Sequence, residues 1–170
     1  SGKFILGENV QEIEEMISSY LGINYAISCN SGTDAIFLAL KSINISNGDE
    51  IITTPFTFIS TVEAIINSGA KPVFVDIDED SFNIDTRKIE EKISDKTKAI
   101  LPVHLFGNPV NIKEIKKLTQ NKDIKIIEDC AQSFGAKYNE DNVGTVGDIG
   151  CFSFYPTKNL GCYGDGGLIT

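Results

Sequence analysis

Lys158 is the residue of this sequence best suited to covalent chemistry. It lies in a segment, residues 153–167, that is rich in aromatic, small and glycine residues and that follows a short apolar run. A lysine that such surroundings shield from water gives up its proton more readily, and its free amine attacks carbonyl carbons to form a Schiff base. The alternative for any single lysine is a solvated loop residue, so this interpretation depends on the residues that accompany it.

Other polar and aromatic residues follow predicted strands, and in a parallel α/β sheet ligands bind at the carboxyl ends of the strands. The residues in question are Ser31-Gly32-Thr33, Pro55-Phe56-Thr57-Phe58, His104, Asp129-Cys130-Ala131-Gln132 and the stretch from Ser153 to Lys158. Because the carboxyl ends of parallel strands share one edge of a sheet, we expect these residues to lie close together.

The first of these groups opens a predicted helix and suits a phosphate. Gly32 and Thr33 would present unpaired backbone N–H groups at the helix N-terminus, and glycine permits a close approach. Ser153 adds a hydroxyl from another strand end. Serine, glycine and threonine are also common capping residues, and the local sequence by itself favours capping.

Three other side chains suit a flat heterocyclic ring. Asp129 ends an apolar strand and is placed to keep a pyridine nitrogen protonated, although a helix cap or a solvated turn explains a lone aspartate equally well. Gln132 would lie on the same side as Asp129 if the chain turns helically there. Phe58 offers a stacking face, although phenylalanine is more often part of a core. His104 is interpreted as a structural histidine.

Together these features point to one cofactor. A phosphate cradle, an acid for a ring nitrogen, an aromatic plate and a shielded lysine are what pyridoxal 5′-phosphate requires. Each signal is weak, and their combination predicts a site for this cofactor. A nicotinamide-binding domain fits poorly, because no Gly-x-Gly-x-x-Gly follows the first predicted strand.

The elements that would position these residues alternate between strand and helix, which predicts an α/β fold with three αβα layers and a mixed, mostly parallel sheet. After an extended arm at Ser1–Gly7, apolar spacing and glycine stops predict helices over 8–22, 30–48, 59–69, 85–93 and 112–121. Strands are predicted over 25–29, 49–53, 71–76, 98–103, 124–128, 150–154 and 167–170. The last two strands have no helix between them, so we expect mixed pairing there.

Composition restricts the function further. The 170 residues carry a net charge of −9 without a basic patch, which argues against nucleic acid and anionic membranes as partners. No apolar run is long enough to span a bilayer. Four separated cysteines and one histidine predict free thiols, no metal and a cytoplasmic location. The chain stops inside an apolar strand, so we expect it to be the front part of a longer protein.

Several motifs resemble those of the DegT/DnrJ/StrS-type nucleotide-sugar aminotransferases, in family order. The motifs are Ser1–Gly7, Ser31–Ala35, Pro55–Phe58, Glu128–Gln132, Phe152–Gly161 and Gly164–Gly167. The resemblance implies that Lys158 joins the cofactor covalently and that Asp129 pairs with the pyridinium nitrogen, which makes them the catalytic pair. It further implies cofactor contacts from Gln132 to the ring hydroxyl and from Phe58 to the ring face. By the same resemblance, the phosphate is bound by Gly32, Thr33 and Ser153. Cys130 replaces a common alanine.

The same resemblance implies the type I aminotransferase fold, with residues 1–170 in the large cofactor-binding domain and a small C-terminal domain beyond them. The family works as a homodimer in which the partner completes each site. The implied reaction moves an amino group from a donor, usually glutamate, to a keto group of a nucleotide-linked deoxysugar for surface glycan synthesis. Lys158 serves as both tether and proton carrier. The Lys-Asn-Leu-Gly and Gly-Asp-Gly-Gly forms slightly favour C3 over C4.

Two alternatives stay open at this point. One is a regulatory or non-catalytic protein of the same fold that binds the cofactor without turnover. The other is a related sugar dehydratase, although that branch of the family carries histidine where this chain has Lys158.

Overall fold

The computed structural model describes residues 5–170, so most of the expected arm, Ser1–Phe4, lies outside the described residues. The α-helices are α1 (Glu8–Leu21), α2 (Gly32–Ser42), α3 (Ile59–Ser68) and α4 (Ile112–Thr119). The strands are β1 (Ile27–Cys29), β2 (Glu50–Thr53), β3 (Lys71–Phe74), β4 (Thr97–Ile100), β5 (Lys125–Asp129), β6 (Lys137–Tyr138), β7 (Asp141–Asn142), β8 (Ile149–Ser153) and β9 (Gly167–Ile169).

Seven of these strands form one sheet in the order β1-β9-β8-β5-β4-β2-β3. The neighbours from β3 through β8 pair in parallel, whereas β9 runs antiparallel to both β8 and β1. The predicted mixed, mostly parallel sheet is confirmed. The small antiparallel hairpin of β6 and β7 was not expected from the sequence.

Helices cover both faces of the sheet, as the apolar strands require. In β2, Ile51 packs in the cluster formed with α2 and α3, while the next residue, Ile52, packs in the cluster formed with α4. Side chains alternate between the faces of a strand, so a strand with apolar residues at both positions must be covered on both sides. A third cluster joins α1 to Phe152 and Leu168 of β8 and β9. The three-layer αβα arrangement is therefore confirmed.

Two helix predictions need correction. Residues 85–93 form two 3₁₀ turns, Thr86–Lys88 and Glu90–Lys92, instead of a continuous helix. Only Ile89 of this stretch is a buried apolar residue, so packing contributes too little to hold a regular helix. The helix expected to reach residue 48 ends at Ser42, because Asn44 adopts a left-handed backbone with φ +58°.

None of the helices within residues 5–170 has the length and apolar character needed to cross a bilayer.

A buried carboxylate at the end of β5 joins the sheet to the loop before β8. Glu128 Oε2 accepts hydrogen bonds from His104 Nε2 at 2.8 Å and from the Gly144 N–H at 2.9 Å. Its Oε1 accepts from the N–H groups of Val146 and Gly147 at 3.0 and 2.6 Å. Burial by itself raises the pKa of Glu128, but the hydrogen bonds from His104 and the loop outweigh it and hold the pKa below its usual range. Glu128 is thus a structural anion.

The tautomer of His104 follows from its second hydrogen bond. The backbone N–H of Val110 donates to His104 Nδ1 at 2.9 Å, so Nδ1 is an acceptor and Nε2 carries the proton given to Glu128. Both ring nitrogens are satisfied in a side chain that is almost wholly buried. The prediction of a structural histidine agrees with this geometry.

Replacing Glu128 by glutamine is expected to lower the free energy of unfolding of the intact protein by about 2–3 kcal/mol at pH 7. The amide NH₂ would face an N–H donor in either orientation, and hydrogen bonds to charged groups contribute about 1.5–3 kcal/mol. Because the folded pKa of Glu128 lies below its unfolded value, this stabilisation is present above that value and is lost as pH falls through the folded pKa. Denaturant melts at several pH values test this. A difference between the proteins that widens on acidification would contradict the account.

Candidate active site

A cavity of about 480 Å³ lies where β2, β4, β5 and β8 end. All seven residues predicted to contact the cofactor line it: Gly32, Thr33, Phe58, Asp129, Gln132, Ser153 and Lys158. The volume falls within the range of small-molecule sites, about 300–1,000 Å³. These seven residues come from four separate segments of the sequence, which converge on one cavity.

One end of the cavity is formed by the start of α2. Ser31 is the N-cap, and its hydroxyl accepts a hydrogen bond from the Asp34 N–H at 3.0 Å, so the capping interpretation of this serine is correct. The next N–H groups of the helix, those of Gly32 and Thr33, have no acceptor within a helix and suit an anion. Capping and anion binding are thus compatible at this helix end.

Glycine is required at position 32 by the approach of β8. A Cβ atom built on Gly32 would lie 2.6 Å from Ser153 Cβ and 3.3 Å from Ser153 Cα. The absence of that side chain brings the end of β8 against the start of α2. The Ser153 hydroxyl therefore lies beside the helix N-terminus, as the predicted phosphate cradle requires.

Replacing Gly32 by alanine is expected to weaken cofactor binding by about tenfold or more, because overpacking costs about 1–3 kcal/mol and here separates α2 from β8. The dissociation constant is measured by titrating cofactor-free intact protein. Ser153→Gly supplies the matched background, because it removes the Cβ that the new methyl group would meet. If Gly32→Ala has the same effect in both backgrounds, the steric explanation is wrong.

Lys158 lies in a turn after β8 and lines the same cavity as the start of α2. Its backbone N–H donates to the carbonyl of Tyr155 at 2.8 Å, and its side chain is half-buried. The sequence predicted a lysine shielded from water, and shielding is partial here because the flanking Pro156 and Thr157 are exposed. Within the described part of the chain, Lys158 is the one cation that lines the cavity.

Asp129 is the buried acidic group that lines the cavity, and it is 4% exposed. Its Oδ1 accepts from the Ala131 N–H at 3.1 Å and its Oδ2 from the Thr61 hydroxyl at 2.8 Å. Burial raises the pKa of Asp129, and these two hydrogen bonds and the positive charge of Lys158 offset the effect of burial only in part. Across residues 5–170, no lysine or arginine forms an ion pair with this carboxylate.

The two neighbouring acids on β5, Glu128 and Asp129, thus differ in hydrogen bonding and in the direction of their pKa shifts. Glu128 and Asp129 project to opposite faces of the strand. Glu128 has four hydrogen-bond donors and a lowered pKa, whereas Asp129 has two donors and a raised pKa. A buried carboxylate that has no cation beside it can bind a positively charged group of a ligand. A protonated ring nitrogen is such a group.

Phe58 and Gln132, the residues predicted to contact the ring of the cofactor, both lie at the cavity wall. Phe58 is 64% exposed, which excludes the interpretation as a core residue. Gln132 follows Asp129 in a turn rather than a helix, yet both face the cavity. The Gln132 Oε1 atom accepts the Phe106 N–H at 3.1 Å, which leaves its NH₂ group as a donor for a ligand.

Sequence reasoning missed two features. Thr61 contacts Asp129, and no spacing in the sequence links residues 68 positions apart. The ligand atoms of His104, Glu128 and Cys130 lie within 4.8 Å of one another. Both nitrogens of His104 and both oxygens of Glu128 already have hydrogen-bond partners, and burial raises the pKa of the Cys130 thiol well above its usual value. The His104 and Glu128 atoms of this cluster are therefore occupied by hydrogen bonds within the protein.

The residues present fit pyridoxal phosphate. The cradle at Gly32 would be closed by a Cβ atom, Asp129 is buried without a cation, and an exposed aromatic face and an amine line the same cavity. These features match the phosphate, the ring nitrogen, the ring face and the aldehyde of that molecule.

Several known proteins are similar to this chain in sequence and in fold. The profile of the DegT/DnrJ/EryC1/StrS aminotransferase family matches residues 1–170. The pleiotropic regulatory protein of Geobacillus stearothermophilus is 48% identical over 99% of this chain and 45% of its own length. The UDP-N-acetyl-3-dehydro-alpha-D-glucosamine 3-aminotransferase of Acidithiobacillus ferrooxidans is 48% identical over 98% of this chain and 45% of its own length.

The structural similarity is equally extensive. S. venezuelae DesV, solved in complex with a ketimine intermediate, superimposes with a TM-score of 0.97 at 39% identity. The similarity covers 100% of this chain and 46% of that chain. This chain therefore spans a little under half the length of the proteins that it matches.

Proposed function

Because the chain belongs to the DegT/DnrJ/EryC1/StrS aminotransferase family, whose members depend on pyridoxal phosphate, we propose that the intact protein transfers an amino group to the keto group of a nucleotide-linked sugar. The observation that carries this proposal is the convergence of the seven predicted residues on one cavity. We further propose glutamate as the amino donor, a deoxysugar as the acceptor and surface glycan synthesis as the purpose.

The proposed roles follow from where each residue lies. Lys158 would join the cofactor aldehyde covalently, and Asp129 would hold the ring nitrogen protonated. The ring would lie against Phe58, with the Gln132 NH₂ group donating to its hydroxyl. The phosphate would be bound by Gly32, Thr33 and Ser153.

When bound, pyridoxal phosphate supplies an electron sink for the bond broken at the donor's α-carbon. The chain's own contribution is then acid–base chemistry at Lys158. With its amine free, Lys158 would take the proton from the donor's α-carbon and hold it for return. Asp129 keeps its negative charge near the ring and thereby supports the electron sink.

A second copy of the protein and the rest of its own chain are expected to complete the site. Lys158 is the one cation lining the cavity within residues 5–170, so a bound phosphate needs positive charge from elsewhere. Phe58 and Tyr155 also leave much of their apolar surface exposed at the mouth. Both observations support a homodimer and a further C-terminal domain.

Amino transfer at C3 is the favoured regiochemistry. The 48% identical relative from Acidithiobacillus ferrooxidans is named as a 3-aminotransferase, which agrees with the sequence-based preference. Lys158 argues against the dehydratase alternative. The four free cysteines support the proposed cytoplasmic location, since thiols persist in reducing compartments.

A regulatory role without turnover is the second candidate, favoured by the name of the Geobacillus stearothermophilus relative. Spectroscopy separates the two. Purified intact protein loaded with cofactor is expected to absorb at the edge of the visible range and to bleach when glutamate is added. A band that persists with every amino donor favours the regulatory role. A panel of 3-keto and 4-keto nucleotide sugars then tests the position.

A further inference from the structure

Two threonine hydroxyls form a chain behind the Asp129 carboxylate. Thr57 Oγ1 lies 2.8 Å from Thr61 Oγ1, and Thr61 Oγ1 lies 2.8 Å from Asp129 Oδ2. Thr57 directly precedes the residue that caps α3, and Thr61 lies in the first turn of that helix. The hydroxyl contact therefore joins the segment before α3 to the first turn of that helix.

The donor directions in this chain are determined by Asp129. An ionised carboxylate only accepts, so the single proton of the Thr61 hydroxyl points to Asp129. Thr61 then has no proton left for Thr57, and Thr57 must donate to Thr61. The two hydroxyl dipoles are therefore aligned toward the carboxylate, and aligned hydrogen bonds strengthen one another.

The environment explains why such donors are needed. Thr61 is 1% exposed and Asp129 4% exposed, so the Thr61 hydroxyl is a buried donor to a buried carboxylate oxygen. Burial favours the neutral acid, whereas the proposed role requires the anion. The second oxygen is held by the Ala131 N–H, so both carboxylate oxygens have a defined partner.

The other titratable groups around Asp129 come from neighbouring strands. His104, beyond β4, has both ring nitrogens engaged, and Glu128 is engaged on the far side of β5. Burial raises the pKa values of the Cys130 and Cys151 thiols well above their usual value, so both stay neutral. Lys158 contributes positive charge from the segment after β8. The first turn of α3 contributes the Thr61 hydroxyl, and the segment before the helix contributes the Thr57 hydroxyl behind it.

We propose that Thr61, supported by Thr57, is a positioning residue that keeps the Asp129 carboxylate ionised and aimed at the ring nitrogen of the cofactor. This inference rests on the proposed role of Asp129. It adds two residues of the cavity wall whose proposed effect on the ring passes through Asp129.

The test compares Thr61→Val, Thr61→Ser and Thr57→Val in the intact protein. Valine keeps the shape and removes the hydroxyl, whereas serine keeps the hydroxyl. In cofactor-free protein, ¹³C NMR of aspartate carboxyl carbons, assigned with Asp129→Asn, reports the pKa of Asp129 directly. The pKa is expected to be higher in Thr61→Val than in the wild type, higher by less in Thr57→Val, and restored in Thr61→Ser.

In the loaded protein, Thr61→Val is expected to lower kcat by about tenfold or more, the equivalent of one hydrogen bond to a charged group. The KM for the keto sugar should change little, and Thr61→Ser should recover most of the rate. An unchanged pKa of Asp129 in Thr61→Val overturns the inference. If Thr61→Val does not fold, an unchanged pKa in Thr57→Val does so.

These readouts separate this inference from the proposed function. The NMR titration needs neither cofactor nor turnover. If the pKa of Asp129 responds as expected while the wild-type protein never bleaches with an amino donor, the hydroxyl chain is supported and the transaminase function fails.

Discussion

Replacing Lys158 by alanine in the intact protein is expected to reduce amino transfer by at least about 10³-fold. The change removes both the covalent attachment of the cofactor and the proton carrier, and general acid–base catalysis alone contributes about 10²–10⁴-fold. Cofactor affinity should fall much less, because the phosphate cradle and Phe58 lie on other segments and stay intact. Steady-state rates and a cofactor titration measure the two effects separately.

A matched control is available on the surface. Lys137, in β6, is exposed and lies away from the cavity, so Lys137→Ala should keep wild-type activity. Adding a small primary amine to Lys158→Ala should restore part of the rate, since a free amine can carry the same proton. If Lys158→Ala retains more than a tenth of wild-type activity, the assignment of this lysine is wrong.

Replacing Asp129 by asparagine is expected to lower kcat by about 10²–10³-fold and to stabilise the cofactor-free protein. Activity falls because the neutral amide does not hold a ring nitrogen protonated, and a buried charge opposite a developing charge contributes several kcal/mol. The fold tolerates the change. The amide oxygen can accept the Ala131 N–H, and the NH₂ group can donate to Thr61, whose own proton then turns to Thr57.

The effect of Asp129→Asn on the stability of the cofactor-free protein is expected to depend on pH. Burial raises the folded pKa of Asp129 above its unfolded value, so the ionised form weakens the fold at neutral pH and this penalty disappears as pH falls below the folded pKa. The Tm advantage of Asp129→Asn should therefore be largest at pH 7 and shrink on acidification. Asp123→Asn, at an exposed position, is the control. A destabilised Asp129→Asn would show that the carboxylate is structural, like Glu128.

Much of the fold could be predicted because the elements are encoded locally. Apolar spacing and a glycine stop predicted α1, which ends at Leu21 with Gly22 in a left-handed conformation at φ +71°. The sequence shows no helix between β8 and β9, which predicted mixed pairing there, and β9 runs antiparallel to β8. The prediction was wrong at 85–93, where helical spacing was present but Ile89 is the only fully buried apolar residue. Local preference without burial does not hold a helix.

The site could be predicted as a set of residues but not as an arrangement. The carboxyl ends of parallel strands lie at one edge of the sheet. The residues that follow the strands could therefore be identified from the sequence as candidates for the site. The requirement for glycine at 32 depends on how closely β8 approaches, and that distance is a property of packing. Thr61 is an ordinary helix residue in the sequence, and its contact with Asp129 spans 68 positions.

The sequence by itself determined the order of the elements, the strand ends where ligands bind, and the lysine, acid, aromatic and glycine residues that a pyridoxal phosphate site requires. Only the tertiary structure decided which of two adjacent acids is structural and which is available. The reason is that the pKa of a carboxylate depends on burial and on the donors around it. Those donors are His104 and the backbone of 144–147 for Glu128, and Ala131 and Thr61 for Asp129. All of them except the neighbouring Ala131 are brought there only by folding.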